Sequence, residues 1–245
     1  MVLRKLDSEK LLRTRADAGN IAEIKRLLSQ GVDANAADSF GFTALEYALN
    51  WYPHLPDKDH LGIVKTLVAG GADVKVKARN GQTPLFTAVA EGLYEVVVYL
   101  HQQGVDINAR LDTGANALHA APDGIVNRPM NFQVTLERDG KRVTLTDPDE
   151  IRQATGSHPD DEFEARLKTV EYLLEHGIDV SAQLYESGQT VLFRAADLGA
   201  EEIAALILER GTVEIDHTDK WGLTALHYAC RQGHLGIVQR LIARG

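Results

Sequence analysis

The sequence predicts an all-α solenoid of stacked helix-turn-helix units, joined by β-turn loops and carrying one inserted β-hairpin. Three observations predict it: a glycine-led motif at a nearly fixed interval, a second motif on the same beat, and apolar residues at helical spacing between them. Gly31-Val32-Asp33 returns as Gly71-Ala72-Asp73, Gly104-Val105-Asp106 and Gly177-Ile178-Asp179, with Gly211-Thr212-Val213-Glu214 as a copy one residue longer. By subtraction these glycines stand 40, 33, 73 and 34 residues apart, and Gly245 lies another 34 on. A period of about 33 is thus broken by one short and one long insertion.

The second motif sits two residues after a glycine in every copy. It reads Thr43-Ala44-Leu45-Glu46, Thr83-Pro84-Leu85-Phe86, Asn116-Ala117-Leu118-His119, Thr190-Val191-Leu192-Phe193 and Thr224-Ala225-Leu226-His227. The threonine suits an N-cap, and Pro84 stands at the favoured first helical position. Small residues such as Ala48, Ala88, Ala196 and Ala229 allow neighbouring first helices to approach closely. Second helices follow from Ile24, Leu27 and Leu28, from Val64, Leu67 and Val68, from Val97 and Leu100, and from Val170, Leu173 and Leu174. Gly31, Gly71, Gly104 and Gly177 then suit left-handed C-caps. No unit can bury its apolar face alone, so neighbours must stack.

These two motifs in phase resemble the ankyrin repeat, over about 200 of the 245 residues. The reading is one domain, residues 1–245, with repeats near 7–36, 37–76, 77–109, 110–182, 183–217 and 218–245. The first copy keeps only its second half. Its first helix, expected from Ser8 to Ala18, carries Arg13, Arg15 and Asp17, the polar character of a terminal cap. The last helix keeps Ile237, Val238, Leu241 and Ile242, which predicts either a partner at that end or further chain beyond it.

Two insertions interrupt the rhythm. Trp51-Tyr52-Pro53-His54-Leu55-Pro56 begins a loop in which two prolines prevent helix continuation. Trp51 and Tyr52 either pack that loop onto its own repeat or contact a partner. The longer insertion, 122–161, contains Asp139-Gly140 between alternating runs, a strong hairpin signal. With that turn, Leu136 faces Val143 and Val134 faces Leu145. Pro122 ends or deforms the first helix of the fourth copy. A short helix is expected from Asp147-Pro148-Asp149-Glu150 to Thr155, and the second helix resumes near Asp160.

Composition narrows the function. At 44% hydrophobic and 25% charged, the chain is not wholly disordered. Lysine and arginine total 26 against 35 acidic residues, a formal charge of −9, which argues against nucleic acid as the main partner. One cysteine forbids an intrachain disulfide, and no apolar run reaches the ~20 residues of a membrane helix, so a cytoplasmic protein without a membrane role is expected. There is no phosphate loop, nucleophile elbow or His-Glu-x-x-His. His119 and His227 fall on the motif, and His60 and His234 precede second helices. Cys230 replaces a motif alanine, so a buried packing role is expected. His54, Asp57, Asp59 and His60 match no zinc spacing. The expectation is no enzyme, no cofactor and no metal.

The resemblance implies a non-catalytic module that binds another protein, as a monomer when free. The family's contact positions carry over to the loops before the first helices. They fall on Ser39, Phe40 and Phe42; on Arg79, Asn80 and Gln82; on Asp112 and Thr113; on Glu186, Ser187 and Gln189; and on Lys220, Trp221 and Leu223. Helix-face positions are Asn50 and Trp51, Ala90 and Glu91, Asp197 and Leu198, and Arg231 and Gln232. Phe40, Phe42 and Trp221 are the expected anchors, unless each folds onto a neighbouring loop. An inhibitor or immunity-type protein covering a toxin or enzyme is a narrower version. A structural adaptor and an enzyme with chemistry at the insertion are the other classes.

Overall fold

The computed structural model describes residues 2–50, 58–122, 134–138, 141–145 and 159–245. Its helices are α1 (Val2–Asp17), α2 (Ile21–Ser29), α3 (Ala44–Leu49), α4 (His60–Ala69), α5 (Pro84–Ala90) and α6 (Tyr94–Gln102). After the longer insertion come α7 (Pro159–Glu175), α8 (Val191–Leu198), α9 (Glu201–Arg210), α10 (Ala225–Gln232) and α11 (Leu235–Arg244). A 3-10 turn, Ala117–Ala120, stands where the first helix of the fourth copy belongs.

The helices form two layers. In the first, α1 packs on α3, α3 on α5, α5 on the 3-10 turn, that turn on α8, and α8 on α10. In the second, α2, α4, α6, α7, α9 and α11 each pack on the next. Motif residues explain the contact. Leu45, Leu85, Leu118 and Leu192 are fully buried on the first layer, as are Leu67, Leu100 and Leu173 on the second. Each contributes roughly 1.5–3 kcal/mol. Ala48, Ala88, Ala121, Ala195 and Ala229 are buried between adjacent first-layer elements, where a larger side chain would force them apart.

Local chemistry sets the helix ends. The Thr83 hydroxyl accepts from the Phe86 amide at 3.2 Å, with Pro84 behind it. Gly31, Gly71, Gly104 and Gly177 follow the second helices at φ between 78° and 92°, a backbone region open to glycine at no steric cost. One expectation needs correction. Helix α1 begins at Val2 rather than Ser8, because Arg4-Lys5-Leu6-Asp7 holds no helix breaker. Pro122 deforms the fourth first helix, one of the two outcomes expected of it: the four residues before Ala121 and Pro122, which are themselves helical, form a 3-10 turn. It tightens the preceding turn, because proline lacks an amide N–H and its ring crowds the carbonyl of residue 118.

The long insertion leaves the stack in register. Asn35 donates to the Gly71 carbonyl at 2.9 Å and accepts from the Asp73 amide at 2.7 Å. Asn108 repeats the pair with Gly177 and Asp179, at 3.1 and 2.7 Å, across about seventy residues of chain. Within the insertion, strands β1 (Val134–Arg138) and β2 (Lys141–Leu145) pair antiparallel, with Val134 opposite Leu145 and Leu136 opposite Val143. The Asp139-Gly140 turn, the expected helix at 147–155, and both Trp51 and Tyr52 lie outside the described residues.

Candidate partner-binding surface

Five loops before first-layer elements are tight turns, each with a backbone bond across its base. The pairs are Asp38 N to Phe42 O, Ala78 N to Gln82 O, Leu111 N to Ala115 O, Leu184 N to Gln189 O and Asp219 N to Leu223 O, all at 2.8–2.9 Å. Neighbouring tips are tied as well. The Arg79 amide donates to Phe40 O at 3.1 Å, Tyr185 to Thr113 O at 2.8 Å, and Lys220 to Ser187 O at 2.9 Å. These bonds make the loops a supported row rather than separate flaps.

Two tips share a further device. Asp38 Oδ1 accepts the Phe40 and Phe42 amides at 2.8 and 3.0 Å, and its Oδ2 accepts the Tyr47 hydroxyl at 3.0 Å. Asp219 does the same with the Trp221 and Leu223 amides at 2.9 and 3.0 Å and the Tyr228 hydroxyl at 2.8 Å. Burial opposes ionisation of both aspartates, but the donated hydrogen bonds together hold their carboxyls below the usual range. Each aspartate thus fixes the backbone beneath an aromatic tip and braces it against a first-layer tyrosine.

The predicted contact residues fall into two groups. Phe40, Phe42 and Gln82 border one cavity between the second and third copies. Arg79 and Asn80 are exposed beside it. Gln189, Lys220, Trp221, Leu223 and Arg231 gather between the fifth and sixth copies. There Gln189 donates to the Tyr228 hydroxyl at 2.7 Å, and the Arg231 guanidinium lies 4.6 Å from the Tyr228 ring centre. Arg231 also pairs with Asp197 at 3.0 Å. Glu186 is exposed on its own tip, whereas Leu223 packs partly against the core.

Phe40 is 68% exposed and Trp221 61%, and Tyr185 joins them at 69%. Tyr185 was not among the expected contacts. The loop from Leu184 to Gln189 is one residue longer than its counterparts, and the extra position carries the ring. That ring lies over Gly114 of the preceding tip, where a Cβ would come within 2.8 Å of it. Glycine before the fourth first helix is what admits the stacking.

His119, His227 and His60 serve the scaffold. His119 Nδ1 lies 2.9 Å from Asn116 Oδ1, and His227 Nδ1 accepts the Thr224 amide at 3.1 Å, each at a helix start. His60 Nδ1 lies 2.8 Å from Ala48 O. Asp59 Oδ1 accepts the Gly62 amide at 2.7 Å as the cap of α4. Among the described residues no three His, Cys, Asp or Glu side chains are grouped as a metal site would require. Cys230 is exposed, contrary to the buried role expected from the motif alanine it replaces; on α10 its position faces outward while Ala229 takes the buried place. Among the described residues no helix is long and apolar enough to cross a membrane.

A profile of the ankyrin-repeat family matches residues 55–126 and 163–245, in 3 copies. Rabankyrin-5 of Homo sapiens is 26% identical over 244 residues, which is 96% of this chain and 19% of that protein. The E3 ubiquitin-protein ligase KEG of Arabidopsis thaliana is 28% identical over 181 residues, 70% of this chain and 10% of its own length. The nuclear factor NF-kappa-B p105 subunit of Gallus gallus is 27% identical over 195 residues, 76% of this chain and 19% of its own. The chain spans about a fifth or less of the length of these curated relatives.

Proposed function

The chain belongs to the ankyrin-repeat family, and from that premise we propose that it is a non-catalytic module binding a partner protein through its loop tips and first-layer helices. Ankyrin repeats are generally protein-protein interaction modules. The observation that carries the reading here is the row of exposed aromatics, Phe40, Tyr185 and Trp221, on turns already fixed by hydrogen bonds. A preordered surface loses little entropy on association, so more of each contact appears as affinity. Large aromatic side chains on such a support are the residues that dominate interfaces.

The six copies act as one domain, and the inserted strand pair with its flanking residues adds a specificity element. The chain works in the cytoplasm as a monomer when free, with neither nucleic acid nor membrane as its ligand. Its charge of −9 favours a partner with a basic surface, because opposite fields speed encounter and suppress wrong partners. That favours the narrower reading of an inhibitor or immunity-type protein covering a basic enzyme or toxin. Buried His119, engaged at a helix start, supports the binding reading over an enzymatic one.

The test is affinity capture from the source organism, using the intact chain and a version lacking residues 130–155. One stoichiometric protein captured by the intact chain, and held more weakly by the deletion, is the expected result. Recovery of no protein, or steady turnover of a small compound by the purified chain, would contradict it.

A further inference from the structure

The cavity between the second and third copies brings aromatic rings and a buried carboxylate together. It encloses about 290 Å3, room for one side chain rather than a whole ligand. The rings of Phe40, Phe42 and Tyr47 border it together with Glu46, Asn50 and Gln82, and among the described residues neither lysine nor arginine lines it.

Glu46 stands where His119 and His227 stand in their copies, three residues after the N-cap. The cap needs only one acceptor there. Glu46 Oε2 supplies it, accepting the Thr43 amide at 2.9 Å and the Thr43 hydroxyl at 2.7 Å. The second oxygen, Oε1, is buried without a partner among the described residues, on a residue that is 3% exposed. A carboxylate therefore brings to this place an acceptor that the cap does not use. Burial above all, with the Asp38 charge adding to it, raises the Glu46 pKa despite its bonds to Thr43. The other polar groups are committed in ways that leave acceptors and no cation. Asp38 is occupied by its turn and Tyr47, and Gln82 donates to the Thr87 hydroxyl at 2.9 Å. The Asn50 amide donates toward Asp17 at 3.4 Å. Nearby Arg13 points its guanidinium at the Ala36 carbonyl, 2.8 Å away, and is not part of the lining.

An unmet buried carboxyl oxygen beside aromatic rings suits a positive charge, which gains from the carboxylate and from the ring faces together. We propose that this cavity receives the cationic head of one lysine or arginine side chain presented by the partner, with Glu46 as its counter-ion. The inference deepens the protein-binding reading and rests on it for the source of that side chain.

The test needs no partner. Nα-acetyl-lysine amide and its uncharged counterpart Nα-acetyl-norleucine amide are titrated into the full chain, and shifts of the Phe40, Phe42 and Tyr47 signals are followed by NMR. The expected result is saturable binding of the lysine compound, negligible binding of the norleucine compound, and roughly tenfold weaker lysine binding in Glu46→Gln. Glutamine also serves at the third capping position, so this variant keeps the helix start. Glu46→His, which repeats the arrangement of His119 and His227, gives the same reading if the glutamine variant melts early. Equal binding of the two compounds, or unchanged lysine binding in both variants, would overturn the proposal. Failure of the probe would leave the wider surface intact, whereas failure to capture any protein would remove the wider reading and leave the probe result standing.

Discussion

Replacing Phe40 and Trp221 together with alanine is expected to weaken partner capture by about a thousandfold while melting stays nearly unchanged. A well-placed aromatic anchor contributes about 2 kcal/mol, roughly a thirtyfold change in affinity. The two residues lie in the second and sixth copies and share no partner, so their effects should add. The high exposure of both rings means that little folding energy is lost with them. The Lys220 ammonium lies 4.6 Å from the Trp221 ring centre, and a partner must displace or accommodate that cation. A calibrated pull-down with thermal melting of each variant checks both halves. Unchanged capture would mean that the rings only cover their own loops.

The second large effect is a loss of stability in mild acid, centred on His119. This side chain is 7% exposed and its pKa is lowered to about 4. Burial is the main cause, and the Arg110 charge adds to it, against the backbone of Gln189, Ala182 and Asn116, which favours the charged form. The unfolded chain takes up a proton here near pH 6.5, while the folded chain stays neutral until about pH 4. Between those values the unfolded state binds more protons, so stability falls as pH falls. The fall is on the order of 3 kcal/mol from this residue alone. His60, lowered mainly by burial, acts in the same direction. Glu46, with its raised pKa, opposes them, because its folded form gains a proton first. Asp38 and Asp219, with lowered values, lose their contribution only as pH falls further, through their own folded pKa values. Denaturant unfolding at pH 7, 5.5 and 4.5 measures the slope. His119→Gln should flatten it, and an unaltered slope in that variant would assign the acid sensitivity elsewhere.

Much of this fold was legible because each repeat states its own ends. The glycines at positive φ, the threonine caps and the buried leucines of the two layers follow from residue type and spacing alone. Less legible was whatever depends on a neighbouring copy. Tyr185 gave no signal as a tip residue because one extra residue in its loop moves it off the shared pattern. The bracing of Phe40 and Trp221 by Asp38 and Asp219 depends on tyrosines nine residues downstream. Their spacing could have been found by aligning the second and sixth copies, in which Asp38, Tyr47, Asp219 and Tyr228 coincide. The cavity at Glu46 was hidden for a related reason. Glutamate at a capping position is unremarkable in one helix, and only the surrounding rings of its own copy, closed over by Gln82 and Thr87 of the next, make its second oxygen distinctive.

Hydrogen exchange on the chain, alone and in complex with its captured partner, tests the central claim most directly. Binding should slow exchange at the tips, residues 39–42, 79–82, 185–189 and 220–223, and leave the second-layer helices α2, α4 and α6 as they were. The partner should be recovered with its mass unchanged. Protection confined to the second layer, or a partner returned chemically modified, would contradict a surface that holds another protein without acting on it.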